Sequence, residues 1–175
     1  MKRAILAGYL GGLLLFSFDV PTADAGGVAG TKERITFEGL VGRHSQNGIP
    51  GGYDGFGWGA IDAVGKGLYK DQGGFQAVVH GKVAAVHFAG TGDDGIIVRE
   101  DLGLFSLRKG HFAAFGNVSA QVVFNAYKKG VLVGTKSLTL PAADTVVEFD
   151  RTFSGIDKVV IEGESAAMDD LRIAF

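Results

Sequence analysis

The feature that most constrains this chain is the length of its apolar runs. They are short, they alternate, and glycine separates them. "SAQVVFNAYKKGVLVGTKSLTL" is the clearest case: two β-rich runs meet around Lys129-Gly130 in the pattern of a hairpin. "RITFEGL" sets Ile35 and Phe37 against Thr36 and Glu38 and reads as a first strand. "GIIVRE", "ADTVVEFDRTF", "DKVVIEG" and "AMDDLRIAF" add further strands. "FQAVVHGKVAAVHF" reads as a hairpin turning at Gly81, and "LFSLRKGHFAAF" as strand period broken at Lys109-Gly110. "NGIPGGYDGFGWGAID" is too rich in glycine for a regular element and reads as a long loop with aromatic anchors. No stretch longer than about ten residues has a helical period. The expectation is an all-β chain of roughly eight to ten antiparallel strands, a sandwich or barrel.

Composition supports this. Glycine is abundant, 29 residues against 3 prolines, and it falls where tight turns need positive φ. The chain holds no cysteine, so its stability rests on the core alone. The net charge is −2 and the basic residues are scattered, which leaves nucleic-acid binding unsupported. The first 25 residues stand apart. Lys2 and Arg3 precede an uncharged apolar run, Ala4 to Phe18, and Ala23-Asp24-Ala25 fits a small-x-small cleavage site. This reads as a secretory signal peptide cleaved after Ala25, because the run is shorter than the ~20 residues a spanning helix needs. Residues 26–175 are expected to form one exported domain, periplasmic or secreted.

The segments "ITFEGL", "IPGGYDGFGW", "LFSLRKGHFAAF", "VVFNAYKKGVLVGTKSLTL" and "FSGIDKVVIEGESAAMDDLRI", in that order, resemble exported bacterial β-sandwich domains common in PEP-CTERM-associated proteins. Those domains are similar to the galactose-binding-like jelly rolls used as carbohydrate-binding modules. The chain shows no Pro-Glu-Pro motif, apolar tail or terminal basic cluster, so it is not expected to be a sorting substrate itself. The resemblance implies a jelly-roll β-sandwich and a non-catalytic module for an extracellular polysaccharide or glycan. A structural or self-associating protein of the cell surface or biofilm matrix is the alternative, and a polysaccharide hydrolase a distant third.

The resemblance also implies a structural calcium shared by the first and last strands, with Glu38 and Asp169 as ligands and Asp170 as a second candidate. Counting by twos from Leu171, Ile173 and Phe175 puts Asp169 on the apolar face, where an ionised carboxylate is costly unless neutralised. Turn amides or Arg172 could neutralise it as well as an ion. Tyr53, Phe56 and Trp58 could offer flat rings to a sugar, with Asp54 bonding a hydroxyl, or they could plug the end of the core. Asp93 and Asp94 read as an Asp-Gly turn. His44, His80, His87 and His111 lack metal-ligand spacing, although His87 and His111 could meet on one sheet face. No Gly-x-Ser-x-Gly elbow is present, and Ser154 has no indicated base.

Overall fold

The computed structural model describes residues 32–89 and 93–175. The expected signal peptide and the "GTG" of the "GTGDDG" turn lie outside the described residues. Among the described residues twelve strands form two sheets, and every paired strand is antiparallel. In chain order they are β1 (Lys32–Ile35), β2 (Gln46–Gly48), β3 (Phe56–Gly59), β4 (Ile61–Gly65), β5 (Val83–His87), β6 (Gly95–Arg99), β7 (Ser106–Ala114), β8 (Ser119–Lys128), β9 (Val131–Pro141), β10 (Thr145–Glu148), β11 (Lys158–Gly163) and β12 (Ala166–Ala174). One sheet runs β10-β7-β12-β5-β4-β2, with β1 also on β12; the other runs β3-β6-β11-β8-β9. The molecule is an all-β sandwich, as expected. Among the described residues no helix is long and apolar enough to cross a membrane.

The main core lies between the sheets and is rich in phenylalanine. Phe56, Phe105, Phe112, Phe124 and Phe153 are all essentially inaccessible to solvent. Their rings meet mostly edge to face, as at Phe112–Phe124 and Phe56–Phe105, the arrangement that the ring quadrupole favours.

Three expectations about elements are overturned, the first being the break at Lys109-Gly110, through which β7 runs on. The glycine-rich segment is a loop only over residues 49–55: β2 and β4 overlap its ends, and β3 lies within it. The half-hairpin expected before Gly81 is instead a short helix, α1 (Gly73–Val78). Phe75, Val78 and Val79 pack with Ala113, Phe115 and Ala167 in a second cluster. On each strand beneath, these residues alternate with main-core residues, so α1 covers the outer face of the larger sheet.

Candidate functional site

β12 changes partner midway. On one side Ala166–Met168 pair with β5 and Leu171–Ala174 pair with β1. The two residues in between are Asp169 and Asp170. Met168 and Leu171 both enter the main core, so two residues occupy the space of one. The register against β7 shifts at this point, and Asp170 takes φ 52°. This is a β-bulge, and it reverses the expected facing of Asp169. Asp169 pairs opposite His111 and shares the outer face with Ala167 rather than the core face with Leu171.

Asp169 is nonetheless buried, 2% exposed. Its Oδ2 accepts the His80 backbone N–H at 3.1 Å, and its Oδ1 accepts that of Asp170 at 2.8 Å. Burial pushes its carboxyl up to about 6, against the pull of these two N–H groups. Asp170 is held by the Arg34 guanidinium on both oxygens, Nε to Oδ1 at 2.7 Å and Nη2 to Oδ2, and by His80 Nδ1 at 3.0 Å. Burial raises the Asp170 carboxyl, but Arg34 and His80 outweigh it and hold it below the usual range. Asp144, ahead of β10, reaches His80 Nε2 at 3.1 Å and His111 Nδ1 at 2.9 Å. The two imidazoles meet edge to face, centroids 4.2 Å apart. Asp170, with Asp144 beside it, holds the His80 imidazole above its ordinary range against partial burial.

The first and last strands do lie together, but Glu38 and Asp169 do not share a cation pocket. Glu38 Oε1 accepts the backbone N–H of Lys82 at 2.6 Å and of Val83 at 3.1 Å. Both carboxylates therefore bind amides of one segment, 80–83, that leads into β5. Calcium wants six to eight oxygens. Here Asp169 and Glu38 Oε1 accept backbone N–H groups and Asp170 accepts Arg34. The side chains of the described residues that converge beside Asp170 as possible metal ligands are two imidazoles, His80 and His111, and not Glu38 or Asp169. Arg172 is not the partner of either aspartate.

The aromatic segment is a plug rather than a platform. Phe56 is fully buried and Trp58 is 8% exposed, packed edge to face on Phe37. Trp58 Nε1 donates to the Tyr53 carbonyl at 3.1 Å, and the Tyr53 hydroxyl donates to the Thr36 carbonyl at 2.6 Å. Tyr53 is half-buried and stacks on Phe37, so its ring and hydroxyl are both engaged. Asp54 alone of the four is exposed. It borders a groove of about 500 Å³ with Glu33, Arg99, Glu100, Asp101 and Phe175. A larger groove, about 720 Å³, shares Glu33 and Phe175 and adds Arg108, Lys109, Glu148 and Arg172.

Sequence reasoning missed Arg34, Asp144 and the larger groove, and it set His80 aside for want of metal-ligand spacing. It allowed His111 to meet His87 on one sheet face, but His87 is buried in β5 and His111 meets His80. Asp144 in "PAADT" carries no signal, because its partners come from α1's far end and from β7.

No family model and no curated protein matches the sequence. Among solved structures the chain is similar to a DUF4465 family protein from Bacteroides caccae ATCC 43185, with a TM-score of 0.57 and 13% identity. That match covers 82% of this chain and 98% of the other, and the likeness is one of fold. TmCBM61 in complex with β-1,4-galactotriose matches at a TM-score of 0.36 and 14% identity, over 74% of this chain and 98% of that one.

Proposed function

We propose that the protein is an exported, non-catalytic module that holds an anionic extracellular polysaccharide in the larger groove. The observation that carries this reading is a row of cations. Arg34 lies across from Arg172, and Arg172 across from Lys109, on three adjacent strands. Like charges directly opposite on a sheet are destabilising. Arg34 is neutralised by Asp170. Arg172, Lys109 and the neighbouring Arg108 make no ion pair among the described residues, and all three line the groove. An acidic sugar chain would supply the missing charge, and the carboxylates of Glu33 and Glu148 would accept hydroxyls beside it.

The test is calorimetric titration with polygalacturonate and with a neutral galactan, at low and high salt. Polygalacturonate should bind, more weakly as salt rises. Replacing Lys109 and Arg172 together by alanine should weaken binding about tenfold or more. Equal binding of the neutral polymer, or an unaffected double variant, would overturn the reading.

One observation favours a second reading, an interaction protein. β9 is a long edge strand, and no described strand pairs with its outer side. Val131, Leu132 and Val133 are exposed on it. A long exposed apolar edge is a template for pairing with another chain. A dimer that forms with rising concentration and disappears in Leu132→Lys would support this reading. A monomer at every concentration would remove it.

A further inference from the structure

The cluster beside the β12 bulge has a chemistry that polysaccharide binding does not use. A ring nitrogen from His80, one from His111 and a carboxylate oxygen from Asp170 lie within 4.8 Å of one another. They come from the segment after α1, from β7 and from β12, and only the folded sandwich brings them together. We propose that these three residues form a surface site for a divalent transition ion, of which Zn²⁺ is the fitting probe.

Three features of the geometry support an ion here. Two imidazoles with one carboxylate are a donor set for zinc and its neighbours and are foreign to calcium. Asp144 binds one nitrogen of each imidazole, Nε2 of His80 and Nδ1 of His111, which leaves the second nitrogen of each ring for a metal. A carboxylate behind a ligating histidine fixes its tautomer and orientation, and here one carboxylate serves both. Arg34 plays the matching part behind Asp170. Each carboxylate oxygen has two lone pairs, so Asp170 can keep Arg34 and still ligate.

The distances are compatible. A tetrahedral ion bound at about 2.0–2.2 Å sets its ligand atoms about 3.4 Å apart. The imidazoles are 30% and 25% exposed, so they can close the remaining gap by small rotations. His80 Nδ1 now faces Asp170 Oδ2 at 3.0 Å. An ion seated there replaces the proton between them, and binding releases that proton. Three protein ligands leave a fourth position, which water fills. The site is independent of the groove and would tie the helix side of the larger sheet to its last strand.

The experiment uses the untagged full chain and Zn²⁺ alone. Equilibrium dialysis should find one ion per chain, and the thermal midpoint should rise by several degrees and saturate, since an ion that binds only the folded state stabilises it by mass action. His80→Gln and His111→Gln should each abolish both effects. Asp144→Asn should weaken binding about 10- to 100-fold while the chain keeps its metal-free midpoint within a few degrees. Ca²⁺ at the same concentration should do nothing. No zinc uptake, uptake that survives both histidine substitutions, or an equal response to Ca²⁺ would overturn the site. If a histidine variant fails to fold, Asp144→Asn alone decides, because unchanged affinity there contradicts the proposal.

Discussion

At the scale of single residues, the two aspartates of "AMDDL" show how one inserted position redirects a side chain. Their cost was legible, because a carboxylate in a core strand must find donors. Their direction was not. Counting by twos assumes an unbroken strand, and the bulge at Asp169-Asp170 leaves no mark in residue type. Asp169 meets its cost with two backbone N–H groups. Asp169→Ala would leave both donors unpaired. Each buried unpaired donor costs about 1–3 kcal/mol, and removing a buried charge returns part of that. The expected net loss is about 2–3 kcal/mol, read from the urea midpoint at unchanged slope. Asp71→Ala, at an exposed turn with no side-chain partner, should stay within about 0.5 kcal/mol. An Asp169→Ala variant as stable as Asp71→Ala would mean that the two amides find water in its place.

At the scale of elements, alternation located most strands, and it failed where an element was short or a face was doubly covered. β7 was expected to break at Lys109-Gly110, and it runs on from Ser106 to Ala114: the register against β12 shifts twice, with an extra residue first in β12 between Asp169 and Arg172 and then in β7 between Lys109 and Leu107, so the original register resumes. α1 has six residues, fewer than two turns, so no helical period can show. Gly74 sits where α1 touches the sheet. A methyl there would overlap the Ala114 carbonyl oxygen and crowd the Ala142 backbone. Helix propensity alone favours Gly74→Ala by about 1 kcal/mol. The close approach should win, because backbone cannot yield as a side chain can, and overpacking costs about 1–3 kcal/mol. Gly74→Ala is therefore expected to lower the unfolding midpoint. A raised midpoint would show that α1 stands off the sheet.

At the scale of the whole molecule, the sandwich was readable and its wiring was not. Frequent turns, twelve strands among the described residues and no cysteine leave two packed sheets as the economical way to bury the seven phenylalanines of the main core. Which strands become neighbours depends on contacts far apart in the chain. β12 lies against β1, β5 and β7, and no local pattern announces that. The same long-range packing buries His87 of β5 against β4 and β12. Burial holds its imidazole below the usual 6.5, against weaker upward pulls from the Ala60 carbonyl and the Asp94 charge. The unfolded chain then takes up a proton before the folded one does. Stability from this group is complete above pH 6.5 and is lost as the pH falls from there toward the depressed folded value. One such group contributes at most about 1.4 kcal/mol per pH unit. Urea unfolding of wild type and His87→Leu between pH 7.5 and 5 isolates it, because every other titrating group cancels in the difference. The variant should gain on wild type steadily below pH 6.5, and parallel curves would mean that His87 titrates alike in both states.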